Sequence, residues 1–232
     1  MCYSLDVAGE INRTRGVVLA IHPWSRTSHV VAWLTPDHGV VSTLVKGAVR
    51  PKSAFLGQYD LNYTCEIIYY ARAKGELHAL RECVPVNLRE NLRSDFRALT
   101  LADYYRGIVS DLAPSGPESE AWFDLLARSL DILADAEAVR STSLLARLLE
   151  FELQVLNLAG LSPELEAESG SFTLRGERQI PVSSAVARCL RNPVSERNPE
   201  ILLDAARVIG VFYSYHMDSG LDVRRSVLKL IS

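Results

Sequence analysis

Long apolar runs are missing from this 232-residue chain, and none approaches the roughly 20 residues needed to cross a bilayer. Its opening Met1-Cys2-Tyr3-Ser4-Leu5-Asp6 has neither the basic nor the apolar region of a secretion signal, so a cytoplasmic protein is expected. Cysteine is scarce. The four, at positions 2, 65, 83 and 189, form no C-x-x-C pair, which argues against a disulfide framework. The histidines His22, His29, His38, His78 and His216 are scattered, and none falls in an H-x-x-x-H or nucleophile-elbow motif. No glycine-rich phosphate loop follows a strand, and Cys65 and Cys83 lie in apolar strands where a thiol serves as core filling. Repeats and low-complexity stretches are absent too. These absences argue against an enzyme, a cofactor or a metal.

Net charge is also small, at −3, so the total gives no support to a polyanion partner. Its distribution says more. Residues 10–55 hold six Lys or Arg against two Asp or Glu, a local balance of +4. Residues 86–220 hold 13 against 20, a balance of −7, which suggests separate surfaces for separate partners. At 48% hydrophobic and 23% charged, the composition is that of a globular protein large enough to bury a core.

The pattern changes near Pro85. Before it, Gly16–Ile21, Ser28–Thr35, Val40–Val45, Leu61–Ile67 and Leu77–Cys83 read as strands, rich in β-branched residues or alternating with period two. Pro36-Asp37-His38-Gly39 suits a hairpin turn, with Gly39 free to take positive φ. Ala71-Arg72-Ala73-Lys74-Gly75 makes another turn. Five short strands fit a small barrel, of which the OB-fold is the leading candidate. After Pro85, Leu88, Leu92, Phe96 and Leu99 mark one helix, ended by Pro114-Ser115-Gly116-Pro117. Trp122, Leu125, Leu126, Leu130 and Leu133 mark a second. A third, capped by Ser141, carries Leu144 to Leu156 and stops at Gly160. Residues 161–182 read as irregular. Asn198-Pro199 starts a last helix that runs to about His216. The expected architecture is α+β: a barrel domain over 1–84, then an all-α domain over 85–232 containing the irregular segment 161–182.

The most specific text is Val45-Lys46-Gly47-Ala48-Val49-Arg50-Pro51-Lys52-Ser53. Three cations among Gly, Ala and Pro favour an exposed loop that can lay charge along a phosphate backbone. On composition alone, a solvated turn whose charges serve only solubility is the stronger reading, since short basic runs are common. The stretch resembles the V-x-K-G-A-x-R-P-K-S signature of the RecO family of bacterial recombination mediators. Upstream, Gly16-Val17-Val18-Leu19 and Trp24-Ser25-Arg26-Thr27-Ser28 are similar to that family's G-x-V-L and Y/W-x-E-T-S, and Leu34-Thr35-Pro36-Asp37-His38-Gly39 to its F-T-x-E-H-G. More loosely, Phe151-Glu152-Leu153 with Leu158–Pro163 resembles F-E-L…L-G-Y-x-P. Tyr215-His216 and Gly220–Arg225 resemble the family's Y-x-L-G…L-K-S-R ending.

The resemblance implies an N-terminal OB-fold barrel and a C-terminal helical domain. It implies a non-enzymatic protein that binds single- and double-stranded DNA and anneals complementary strands. With RecR, such proteins help load RecA on DNA coated by single-stranded-DNA-binding protein (SSB), whose acidic C-terminal tail they also bind; a RecF-like protein is a further candidate partner. A bacterial, nucleoid-associated location goes with this. The residues picked for DNA are Arg26, Lys46, Arg50 and Lys52 for phosphates, with Trp24 either stacking on bases or packing in its loop. Trp33 has the same two options, the core being the stronger. For the SSB tail the candidates are Arg147 and Phe151, with Leu149-Glu150 standing where the family has a basic pair. Arg26 replaces the family's usual Glu, and Gln58-Tyr59-Asp60 replaces its A-L-Q-P. Many relatives carry four zinc-binding cysteines after the L-G-Y-x-P motif. This chain has only Cys189 in residues 161–192, so no zinc is expected. The rival reading is an adaptor that holds RecR and SSB while binding DNA weakly.

Overall fold

A computed structural model describes residues 10–72, 75–168, 171–175, 179–216 and 221–232. Cys2, Ala73, Lys74 and Gly220 lie outside them. Strands β1 (Ile11–Ser25), β2 (Ser28–Thr35), β3 (Gly39–Val45), β4 (Thr64–Tyr70) and β5 (Leu77–Asn87) close into a barrel in the order β1-β2-β3-β5-β4. Neighbours pair antiparallel except β3 and β5, which run parallel over Ser42–Leu44. This is the expected OB-fold barrel, and alternation explains it. Val31, Trp33, Val41, Val45, Cys65, Ile67 and Tyr69 point inward and fill the barrel.

Two strands run past their expected ends. β1 continues through Pro23 to Ser25, where its pairing with β2 shifts register. β5 continues through Pro85, which lies opposite Cys65 beside a second register shift; such irregularities tolerate a residue without an N–H. The change of pattern at Pro85 therefore falls inside a strand. β4 also begins later than the alternation suggested, at Thr64 rather than Leu61.

The chain divides into two compact units, one comprising residues 1–89 and 109–127 and the other 90–108 and 128–232. Helices α1 (Phe96–Leu112) and α2 (Glu120–Ala134) each contribute to both. In the first unit, Gly39 takes φ 73° as expected of the hairpin turn, and its N–H donates to Ser119 Oγ at 3.0 Å. Ser119 Oγ in turn donates to the Thr35 carbonyl at 2.8 Å. The buried Arg89 guanidinium donates to the Asn62 carbonyl (2.6 Å), Thr64 Oγ1 (2.9 Å) and the Ala127 carbonyl (3.3 Å), fastening β4 and the chain before it to α2.

The second unit holds α3 (Ala136–Ser141), α4 (Leu144–Leu158), β6 (Glu164–Glu168), β7 (Ser171–Arg175), β8 (Gln179–Val182), α5 (Ser184–Arg191), α6 (Pro199–His216) and α7 (Leu221–Ile231). Several expectations need correction here. Leu88, Leu92, Phe96 and Leu99 do not form the buried stripe of α1. Leu92 sits in a 3-10 turn over Glu90–Ser94, and Asp95 then caps the helix through the Arg97 and Ala98 N–H groups. That start sets a different phase, burying Ala98, Leu101, Ala102, Tyr105 and Ile108 and leaving Phe96 exposed. Ser143, not Ser141, caps α4, accepting from the Leu145 N–H. Gly160 does end α4, with the Leu161 N–H returning to the Leu156 carbonyl in a Schellman closure. Within the segment expected to be irregular, Glu164–Glu168, Ser171–Arg175 and Gln179–Val182 pair as a three-stranded antiparallel sheet. Asn198 caps α6 as expected, and α7 follows it.

Four helices of this unit meet at Glu152. Its fully buried carboxylate on α4 accepts from Arg224 Nε (2.7 Å) and Nη2 (2.8 Å) on α7 and from the Tyr104 hydroxyl (2.7 Å) on α1. The Tyr213 hydroxyl on α6 donates to the Glu152 carbonyl at 3.1 Å. Removing one partner strands a buried charge. Glu152→Ala or Arg224→Ala should each lower stability by about 3–5 kcal/mol, read from urea melts. The double change Glu152→Leu/Arg224→Met should fall well short of the sum, because neither charge is left alone.

Candidate nucleic-acid interface

The β1–β2 hairpin ends in a tight turn at Arg26-Thr27, and β3 ends at Val45, directly beside it in the sheet. The segment after β3 folds back on that hairpin. The Gly47 N–H donates to Ser28 Oγ at 3.2 Å, and the Val49 N–H to the Thr27 carbonyl at 3.4 Å. Two further turns follow, Arg50 N–H to the Gly47 carbonyl (3.1 Å) and Ser53 N–H to the Arg50 carbonyl (2.9 Å). Ala48 plugs into the barrel core, 3% exposed, while Lys46, Val49, Arg50, Pro51 and Lys52 face solvent. Gly47 needs its φ of 69°, and an added Cβ would sit 3.2 Å from Arg50 Cδ, so the arginine stem lies across the glycine.

These bonds bring Arg26, Lys46, Arg50 and Lys52 to one end of the barrel, as the sequence suggested. All four are exposed, and among the described residues none of them is ion-paired. Elsewhere the chain pairs its arginines freely: Arg13 with Glu66, Arg81 with Glu82, Arg175 with Glu166 and Arg207 with Asp204. Trp24 belongs to the same end of β1 and is 62% exposed, an indole presented to solvent. Trp33 is 0% exposed and spends its Nε1–H on Thr43 Oγ1 at 2.8 Å, so it is barrel core and no stacking platform. Sequence reasoning missed Thr27 and Ser28, whose carbonyl and hydroxyl lock the loop to the hairpin. Only their place in the T-S text hinted at them.

Arg147 and Phe151 come together on α4. Phe151 is buried, its ring stacked on Tyr105 with centroids 3.7 Å apart, and the two help line a small pocket with Ser129, Ile132, Leu133 and Glu150. Arg147 donates to Glu150 at 3.0 Å. Burial, with Glu152 and Glu150 adding to it, pushes the Tyr105 phenol well above its ordinary value and keeps it a hydrogen-bond donor. Nothing in the sequence pointed to Tyr105, a residue 46 positions from Phe151.

The three described cysteines lie in two separate places. Cys65 and Cys83 face each other inside the barrel, and both thiols donate to the Gln58 carbonyl at 3.5 Å. Cys189 is buried on α5, where burial and Glu196 push its thiol up to about 11. Among the described residues, no group of three His, Cys, Asp or Glu is placed to hold a metal. Nor, among them, is any helix long and apolar enough to cross a membrane.

The family model described as Recombination protein O N terminal matches residues 10–89, the barrel, and the model of its C-terminal domain matches 93–195. The chain belongs to the RecO family. Among curated RecO-family relatives, "DNA repair protein RecO" of Alkaliphilus metalliredigens is 29% identical over 154 residues, covering 66% of this chain and 60% of the relative. The protein of the same name in Moorella thermoacetica is 28% identical over 179 residues, 77% of this chain and 64% of the relative. That in Rhodopirellula baltica is 33% identical over 154 residues, 63% and 53% respectively. The chain thus spans less than two thirds of these relatives' lengths.

The four-cysteine zinc site of many RecO proteins does not fit this chain. Where it would lie, a small sheet is held by the buried Leu174, the Arg175–Glu166 ion pair and Arg191 over the Phe172 ring. Purified protein should therefore carry no stoichiometric zinc by plasma emission, and a chelator should leave its melting temperature unchanged. One tightly held zinc per chain would contradict this.

Proposed function

We propose that this RecO-family chain is a non-enzymatic mediator of DNA repair and recombination. It binds single- and double-stranded DNA at the hairpin end of its barrel and anneals complementary strands, and no nucleotide is consumed. The observation that carries this reading is a cluster of four exposed cations, unpaired among the described residues: Lys46, Arg50 and Lys52 on a loop tied to the hairpin, and Arg26 in the hairpin turn, with Trp24 exposed on the same hairpin. Cations without carboxylate neighbours are free to replace the counterions of a phosphate backbone, giving salt-sensitive, sequence-independent affinity. An exposed indole adds stacking on unpaired bases. The matched relatives are named as DNA repair proteins, which supports the same role.

The remaining assignments extend from the family. RecR is the expected partner in loading RecA on SSB-coated strands, with a RecF-like protein a further candidate. The SSB tail is assigned to the pocket of Arg147 and Phe151. A second reading has an observation of its own: Arg147 is already paired with Glu150, within a stretch over residues 86–220 whose balance is −7, so DNA binding is left to the barrel. On that reading the chain is chiefly an adaptor for RecR and SSB.

Salt titration separates the two. Removing one cation that neutralises a phosphate of single-stranded DNA should flatten the plot of log K against log salt by about 0.7. Arg50→Ala/Lys52→Ala should thus flatten it by about 1.4 and weaken binding to all sequences alike. Annealing of complementary oligonucleotides should slow in parallel, while stability shifts by no more than about 0.5 kcal/mol. A double variant that melts, binds and anneals like the parent removes this loop from the mechanism and favours the adaptor.

A further inference from the structure

The pocket on α4 contains both a charge and the charge that cancels it. Arg147 and Glu150 meet at 3.0 Å, with their side chains only 17% and 30% exposed, so water screens the pair weakly. An anion that approaches Arg147 finds a carboxylate already there. At the same place two hydrogen-bonding groups are left over. Arg147 Nε and the Tyr105 hydroxyl are both buried, and neither has a hydrogen-bond partner. Folded chains seldom leave buried polar groups unmet, so these atoms constitute binding capacity that the chain itself does not use. Ile132, Leu133 and the Phe151 ring supply apolar walls around them.

We infer that Glu150 is a counter-ion gate on this pocket: it holds Arg147 until the terminal carboxylate of an acidic, aromatic-ended peptide displaces it. The inference rests on the assignment of Arg147 and Phe151 to a peptide tail made above. A carboxylate accepts from a guanidinium edge through two parallel bonds, and the free Nε offers half of such an edge. The Tyr105 hydroxyl offers a further donor, and the cleft, which has room for only about one water with Glu150 in place, presents apolar walls to an aromatic end once Glu150 moves aside. Glu150 works against the ligand twice. It competes for Arg147, and it repels the acidic residues that precede the peptide's end. Affinity is thereby held down, and the effect falls mainly on how long the peptide stays bound. A tail that must be taken and then released suits such a site.

The test is fluorescence anisotropy on the full chain, using a labelled peptide with several Asp residues and a C-terminal Phe. Glu150→Gln should tighten its Kd by about 3- to 10-fold. The gain should disappear when the peptide's C-terminus is amidated, and also in the Arg147→Ala/Glu150→Gln variant. Glu150→Ala provides a second way to open the gate should the Gln variant fold poorly. If the parent binds the peptide and both Glu150 variants bind it no tighter, the gate is refuted while the assignment of the pocket stands. A gain that persists without Arg147 also refutes it, since Glu150 would then act only as a diffuse negative charge. If parent and Glu150 variants melt normally yet none binds, the peptide assignment falls and the gate with it.

Discussion

With no exposure to water, the Glu152 carboxylate is tolerable in the helical unit only because Arg224 meets it edge-on with two hydrogen bonds and Tyr104 adds a third. Burial alone would lower the pKa of Arg224, but the hydrogen bonds and charge of Glu152 outweigh it and hold that pKa above the ordinary arginine value. The pair gives direction as well as attraction. Apolar packing among Leu144, Leu148, Val155 and Leu202 permits helices to slide and rotate, whereas a bidentate pair is satisfied in one arrangement. Arg224 also donates to the Ala206 carbonyl at 2.9 Å, so α7 is fixed against α6 and α4 together. Phe151, next in sequence to Glu152, is set in turn against Tyr105. The geometry of the pocket is therefore inherited from the ion pair.

The barrel handles charge in the opposite way. Its hairpin end is positioned by neutral groups, the Thr27 carbonyl, Ser28 hydroxyl and Gly47 N–H, and by Ala48 in the core. No cation is used to hold the loop among the described residues, so Lys46, Arg50 and Lys52 keep their charge for solvent or a ligand. The helical unit uses a charged pair to fix its helices, while at the hairpin end of the barrel the backbone is fixed without one, although Arg89 at the other side of that unit is buried among carbonyls.

Much of the barrel was legible in the sequence because alternation with period two is a direct image of a half-buried strand, as in Val31, Trp33 and Val41. Ends were less so. Pro23 and Pro85 read as stops, yet both lie in strands beside register shifts that excuse a missing N–H. In the helical half, apolar residues at helical spacing around Leu92 and Phe96 misled, because a short 3-10 turn changes the phase between them. The small sheet of β6, β7 and β8 escaped although Glu-Leu-Glu-Ala-Glu, Ser-Phe-Thr-Leu-Arg and Gln-Ile-Pro-Val each alternate, because strands of four or five residues give period two too few repeats to stand out. The candidate DNA-facing residues were found from two short motifs, Trp24–Ser28 and Val45–Ser53. Tyr105 and the Glu152–Arg224 pair needed the fold, since the partners lie 46 and 72 positions apart.

The fixed loop bears on what kind of DNA binding the chain supports. A flexible cationic tail gives up chain entropy with every phosphate it meets. A loop already closed by four hydrogen bonds from its own N–H groups and anchored by Ala48 gives up little, so a few cations suffice for binding. A few cations also set a ceiling, because counterion release scales with the number of phosphates neutralised. Annealing on the proposed reading requires both properties, capture of a strand and its release once paired. On that reading Trp24, exposed on the hairpin, would distinguish the two states, since stacking is open to an unpaired base and closed once the base turns inward to its complement. On the proposed reading, rigid backbone, few cations and one exposed indole would favour the single strand at the start of annealing and hold the duplex less tightly at its end.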